Sequence, residues 1–186
     1  MRILTFTTLY PNSVQPSHGI FVENRLRELL AHGKVEARVM SPVPWAPWGS
    51  QLLSGYKALR SIEPNADRNG ISVTYPRYFL IPKAGMTLAP TTMFLSISGA
   101  VRKLMADGYD FDLIDAHYFY PDGVAAAMIG RLLKKPVVIT ARGTDINLIP
   151  AYNLPRRQIL WAARQASGLI TVCQALKDTL VEMGVA

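Results

Sequence analysis

A single cysteine, Cys173, stands in the whole chain, so no disulfide can form within it. A cystine-stapled secreted fold is therefore excluded, and a reducing compartment is the expectation. The run Gly168-Leu169-Ile170-Thr171-Val172-Cys173 predicts a strand that buries the thiol as a small hydrophobe. No apolar stretch reaches the ~18 residues that a transmembrane helix requires. The opening residues, Met1 to Thr8, are broken by threonine and hold no signal-peptide core. A soluble, cytoplasmic protein is expected, with peripheral contact at the inner face of a membrane left open.

Long basic runs are missing too, although the formal charge is +7 and the isoelectric point near 9.7. The cations are dispersed, in pairs such as Lys134-Lys135 and Arg156-Arg157, and no nucleic-acid signature accompanies them. Nucleic acid thus ranks behind anionic lipid and phosphorylated small molecules as a partner. His18, His32 and His117 lie far apart without ligand spacing, so no metal is expected. P-loops, serine nucleophile elbows and Cys–His pairs are absent as well.

What is present is a core. Hydrophobic residues make up 49% of the 186 and charged residues 18%, enough for one well-packed domain. Ile3 to Leu9 is β-branched and apolar, which predicts a strand. From Gly19, Val22, Leu26, Leu29 and Leu30 fall at helical spacing, with Glu23, Arg25, Arg27 and Glu28 on the other face. Val35, Ala37 and Val39 alternate as a second strand. Asn69-Gly70 marks a turn before a third, Ile71 to Tyr75. A helix is expected from about Thr91 to Met105, followed by a strand at Leu113 to Ala116. The next helix, from Asp122-Gly123 to Leu133, is apolar on nearly all faces and should be buried, with Asp122 as its cap. A strand at Pro136 to Thr140, a helix from Pro155 to Ala166, a strand at Leu169 to Val172 and a final helix complete the pattern. Alternating, mostly apolar strands of this kind predict an α/β fold, an open parallel sheet with helices on both faces. The ending just past Gly184 predicts continuation into another domain.

In such a sheet, ligands bind at the carboxyl ends of strands where the chain order reverses. Three loops qualify. The first, Pro16 to Val22, brings Gly19 to a helix N-terminus, where backbone N–H groups favour an anion. The second runs Asp115-Ala116-His117-Tyr118-Phe119-Tyr120-Pro121-Asp122-Gly123, with His117 able to exchange a proton with a bound hydroxyl or to serve as a hydrogen-bonded structural residue. The third, Thr140-Ala141-Arg142-Gly143-Thr144-Asp145, can clamp an anion through Arg142 and orient hydroxyls, or tighten a turn through an Arg142–Asp145 ion pair. Trp45, Trp48, Leu52, Leu53, Lys57 and Arg60 mix apolar bulk with cations, which suits a lipid surface or packing against the sheet edge.

Taken in order, Tyr10-Pro11, Gly19-Ile20-Phe21-Val22, Asp115-Ala116-His117, Pro121-Asp122-Gly123, Pro136 to Thr140 and Gly143-Thr144-Asp145-Ile146 resemble the N-terminal domain of retaining glycosyltransferases of family 4, with the two-domain GT-B fold. The resemblance covers nearly the whole chain. It implies that residues 1–186 form a Rossmann-like N-terminal domain and that the C-terminal, donor-binding domain is absent. The implied activity is transfer of a hexosyl or related sugar from a nucleotide-sugar to a hydroxyl acceptor, glycan or lipid-linked, without cofactor or metal. The fragment alone would then be inactive. His117 and Asp145 are the implied catalytic residues, and Gly19, Arg142, Gly143 and Thr144 the implied substrate-binding ones. The family's His-Gly-x-Asp reads Arg142-Gly143-Thr144-Asp145 here, which replaces a proton shuttle by a permanent cation. Two other readings stay open: a nicotinamide or flavin oxidoreductase domain, which lacks its glycine triplet here, and a non-catalytic binding module on the same fold.

Overall fold

The apolar run from Ile3 extends because β-branched side chains favour the pleated backbone, and its parallel partner must wait for a helix to cross the sheet. The computed structural model describes residues 1–45, 58–80 and 85–185. β1 (Arg2–Phe6), α1 (Ile20–Ala31) and β2 (Glu36–Met40) form that first crossover, with β1 and β2 paired in parallel. β3 (Val43–Trp45), β4 (Asn65–Arg68), β5 (Ile71–Thr74) and β6 (Arg77–Phe79) follow. The second half runs α2 (Gly85–Ala106), β7 (Leu113–His117), α3 (Val124–Leu133), β8 (Val137–Ala141), α4 (Thr144–Asn147), α5 (Asn153–Gln165), β9 (Gly168–Thr171) and α6 (Gln174–Glu182).

The main sheet has the order β4-β5-β2-β1-β7-β8-β9. The chain builds outward from β1 on one side, then returns to lay β7 against β1's other edge. That reversal is the switch point, and it falls where the sequence expected it. The strands expected at β1, β2, β5, β7, β8 and β9 are all found.

Three strands were not foreseen. β4 is a charged, largely exposed Asn-Ala-Asp-Arg segment that pairs antiparallel with β5, so the sheet is not wholly parallel. Its conformation comes from the hairpin: Asn69 and Gly70 both take positive φ (54° and 80°), and the Gly70 N–H donates to Asp67. β3 and β6 form a separate two-stranded ribbon in which Trp45 meets Phe79 at 6.4 Å. Trp48, Leu52, Leu53 and Lys57 lie outside the described residues.

α2 begins at Gly85, well before Thr91, and carries Pro90 inside it. Proline has no N–H to offer the carbonyl four residues back. The hydroxyl of Tyr120 donates to that carbonyl, Met86 O, at 2.5 Å, which compensates the loss. α3 is buried on nearly all faces, as its composition requires. Cys173 differs from expectation. It is exposed, at the cap of α6, because β9 ends at Thr171 on the sheet's outer edge.

Alternate residues divide the two faces of the sheet. Leu4, Phe6, Ile114, Ala116 and Ile139 point to the side covered by α2, α3 and α5. On the α1 side, Val22 and Leu26 pack with Val39, Ile71 and Val73. Glu23 and Arg25, expected on α1's solvent face, both turn inward. Glu23 is buried and takes a bidentate contact from Arg68 at 2.9 and 3.2 Å.

Gly130 is where α3 comes closest to β8. A Cβ there would meet Val137 Cγ2 at 2.3 Å and the Lys135 carbonyl at 2.8 Å. Gly130→Ala should therefore lower stability by about 1–3 kcal/mol through overpacking. On exposed Gly99, with nothing within 4 Å, alanine should be neutral or gain ~0.5–1 kcal/mol from helix propensity. Urea unfolding midpoints compare the two.

Candidate functional site

β-Strand geometry puts residues i and i+2 on one face, so Asp115 and His117 of β7 project together toward α1. Thr5 pairs in register with Asp115, and Thr140 with His117, extending a polar stripe across three strands. All four are buried, and the hydroxyls of Thr5 and Thr140 have no partner among the described residues. Into this stripe α1 lowers Arg25. Its Nη1 lies 2.8 Å from Asp115 Oδ2 and 3.2 Å from His117 Nε2.

From the other side Arg142, just past β8, brings its Nη2 to 2.8 Å from His117 Nδ1. A guanidinium can only donate, so Nδ1 must be the lone-pair nitrogen. The ring proton therefore sits on Nε2, which donates to Asp115 Oδ2 at 3.1 Å. Burial lowers the pKa of His117; Asp115 raises it, and the cations Arg142 and Arg25 add to the lowering, so the imidazole is neutral. Burial would raise the Asp115 carboxyl, but His117 and Arg25 outweigh it and hold it below its ordinary value. Arg142 is itself lowered, first by burial and next by the charge of Arg25. Its guanidinium stacks 4.9 Å from the ring centre of Phe21, at the start of α1, and its Nε is buried without a partner among the described residues.

Two buried carboxylates brace the loops that carry these groups. Asp122, expected as a helix cap, makes no cap bond to α3. It reaches back to the segment after β1, taking the Thr8 N–H at 2.6 Å and hydroxyls from Thr8 and Thr7. The Thr7 hydroxyl shares its one proton between Asp122, at 3.3 Å, and the His117 carbonyl, at 3.0 Å. Asp145 accepts the backbone N–H groups of Phe119 (2.6 Å), Arg142 (3.0 Å) and Gly143 (2.7 Å). The expected Arg142–Asp145 ion pair is thus replaced by a backbone contact, and the guanidinium is free to turn toward His117. Between the braces Tyr118 sits at φ 79°, a strained value that persists because both neighbours are fixed.

Gly19 lies at the mouth of α1 with φ 66°. A Cβ would fall 2.2 Å from the Leu9 carbonyl, so the chain's own close approach requires glycine there. Gly143 (φ 143°) and Thr144 open the short α4 beside Arg142. Next to the β1 loop a cavity of about 290 Å³ is lined by Thr8, Asn12, His18, Pro44 and Pro121 among others. The structure brings His117, Arg142, Gly143, Thr144 and Asp145 to one strand edge, with Gly19 on the adjoining loop. Arg25 escaped sequence reasoning, since a helical period alone treats it as one more solvent-facing charge. Among the described residues no cluster of His, Cys, Asp and Glu suited to a metal ion is found.

Comparison with known proteins settles the family. A model of Glycosyltransferase Family 4 matches residues 19–186.

The chain belongs to Glycosyltransferase Family 4.

A Bacillus subtilis (strain 168) protein, TuaC, whose name assigns it to teichuronic acid biosynthesis as a glycosyltransferase, is 32% identical over 185 residues. The match takes in 98% of this chain and 46% of that relative, so the chain spans less than half the relative's length. Among solved structures, the UDP-GlcNAc 2-epimerases of Methanocaldococcus jannaschii and Neisseria meningitidis superpose with TM-scores of 0.55 and 0.56. They share 12% and 14% identity, and the whole of this chain covers 43% and 44% of theirs. At that identity the likeness concerns the fold, an open Rossmann-like sheet of the GT-B kind.

In this family 4 chain the brace at Asp122 has a measurable signature. Burial, with a smaller push from Asp145, raises its carboxyl to about 7 from 3.8, against the opposing Thr8 and Thr7 bonds. A raised folded-state pKa means that the fold binds the proton more tightly. Its contribution is full below pH 3.8 and is lost as pH rises through about 7. Asp122→Asn keeps an acceptor for Thr8 and removes the titration. The variant should lose on the order of 3 kcal/mol less stability than the parent between about pH 4 and about pH 8, read by urea unfolding.

Proposed function

We propose that this chain is the acceptor-side half of a retaining transferase that moves a sugar from a nucleotide-sugar to a hydroxyl acceptor. The reading rests on one observation above the rest. The neutral imidazole of His117 is gripped by Arg142 and Asp115 at the switch point, where the loops after β1, β7 and β8 converge. His117, held in one tautomer, orients a sugar hydroxyl and stabilises charge once a ligand displaces Arg142 from Nδ1. Asp145, saturated by backbone donors, positions the Arg142 loop. Gly143, its own N–H held by Asp145, and Thr144 line the substrate side of the Arg142 loop, and Gly19 presents the start of α1 to the donor's phosphates. The cavity beside Thr8 and His18 receives the acceptor, a glycan or a lipid-linked sugar. No cofactor or metal takes part, and the work is done in the cytoplasm. The chain spans less than half of TuaC's length, and this reading assigns donor binding to the portion of such a relative that the match does not cover.

This assignment predicts two levels of activity. The isolated chain, given a panel of nucleotide-sugars and hydroxyl acceptors, should show no turnover; robust transfer would overturn the half-enzyme reading. A form as long as TuaC should transfer sugar with the donor's anomeric configuration kept, as read by NMR of the product. An inverted product would overturn retention, and no transfer at all the larger claim.

A lipid-linked acceptor calls for peripheral membrane contact. The net charge of +7 and the half-exposed Trp45 at the end of β3 support it. No helix among the described residues is long and apolar enough to cross a membrane. The chain is expected to co-float with anionic liposomes and not with zwitterionic ones; its absence from both floated fractions would rule the contact out.

A further inference from the structure

The loop between β1 and α1 fixes its own shape. Asn12 Oδ1 accepts the N–H groups of Val14 (3.0 Å) and Gln15 (2.8 Å). The Gln15 carbonyl in turn accepts those of Asn12 (3.2 Å) and His18 (3.1 Å). Closed on itself in this way, the loop holds His18 against the cavity of about 290 Å³. His18 Nε2 lies 3.1 Å from the Thr8 carbonyl, which can only accept, so Nε2 carries a proton. In the neutral ring Nδ1 is then a lone pair, and it has no hydrogen-bond partner among the described residues. Thr8 has no proton left to give it, because its N–H and its hydroxyl both go to Asp122.

Pro42, Pro44, Pro121, Leu59 and Ile62 supply much of the remaining wall, the prolines as rigid rings. No Asp, Glu, Lys or Arg among the described residues lines the cavity. Arg77, which holds the carbonyls of Leu59, Arg60 and Ile62, stays out of the lining. A charge carried onto such a wall loses its water and finds no counter-charge. The volume lies at the small end of the ~300–1,000 Å³ of ligand pockets, which suits one ring rather than a chain.

We propose that this cavity seats one uncharged sugar ring of the acceptor, and that a hydroxyl of that ring donates a hydrogen bond to Nδ1 of His18. The inference rests on the transferase reading and deepens it, naming the kind of ring and the residue that holds it. The hydroxyl finds its acceptor in the imidazole. Asn12, its oxygen already taken, has only N–H groups to offer the same ring. The C–H face of the sugar lies on the proline wall. His117 does not line this cavity, so the two histidines serve different hydroxyls.

The test is an NMR titration of this chain that follows the ring nitrogens of His18. The neutral probes are methyl glucoside, methyl galactoside and methyl N-acetylglucosaminide; the charged ones are methyl glucuronoside, inorganic phosphate and UDP. A neutral glycoside should shift Nδ1 more than Nε2 and bind ~10-fold more tightly than any charged probe. His18→Gln can keep the bond to the Thr8 carbonyl but has no acceptor at the place of Nδ1, and should weaken that binding by about 5–10-fold. His18→Asn, with an amide oxygen near the place of Nδ1 and no reach to Thr8, should retain part of it. His32→Gln, at the exposed far end of α1, should change nothing. The inference is overturned if no neutral glycoside shifts the His18 signals, or if phosphate or UDP shifts them as strongly. Full binding by His18→Gln, or a greater loss in His18→Asn than in His18→Gln, makes His18 a fastening for Thr8 and overturns its role. The ranking of probes on the unaltered chain decides the seating even if a variant fails to fold. The transferase reading stands or falls separately, on product formation by the longer form.

Discussion

The Asp122 carboxylate is buried completely, yet it is spent neither on a cation nor on its own helix. It ties the loop after β7 to the residues that follow β1, across the point where the sheet reverses its order. A parallel sheet leaves a crevice there because successive crossovers depart in opposite directions, and nothing in the ladder of backbone bonds closes it. A buried carboxylate can close it only if enough donors meet it, and Thr8 and Thr7 provide them. Asp145 repeats the arrangement one strand over, with backbone donors from the loops after β7 and β8. The two braces hold the loops after β1, β7 and β8 together, among them the loop that carries Arg142 to His117.

Between the braces, the site shows what burial does to a polar stripe. Asp115 survives as an anion because Arg25 and the His117 N–H both reach one of its oxygens. His117 survives as a neutral ring because a cation occupies its only free lone pair. Each group's state follows from its neighbour's, so the stripe acts as a unit. The hydroxyls of Thr5 and Thr140, unpartnered among the described residues, mark the same stripe as unfinished polar surface. Polar groups of that kind are tolerated where a ligand completes them.

The glycines show how the same residue type answers different demands. Gly130 exists for α3 to touch Val137, a packing requirement that has no bearing on chemistry. Gly19 is demanded by the Leu9 carbonyl and by a left-handed backbone, and the demand sets where α1 begins. The glycine at this position thus has a steric reason that stands without any role in chemistry.

The sequence by itself determined the alternation of strands and helices, because hydrophobic periodicity is a local property that each segment carries alone. It also placed His117, Arg142 and Asp145 at strand ends, since a strand's last residue is legible from where its apolar run stops. It could not reveal β4, whose four polar residues extend only because β5 offers them hydrogen bonds. Nor could it show that Arg25 and Glu23 face inward, because a helix's rotation about its axis is settled by what it packs on. Only the tertiary structure decided that Asp122 braces a distant loop, that Arg142 grips an imidazole rather than Asp145, and that Cys173 lies exposed at the cap of α6. Each of these depends on groups far apart along the chain, most by 25 to 115 positions, and a pattern of types along a chain carries no information about which of them will meet.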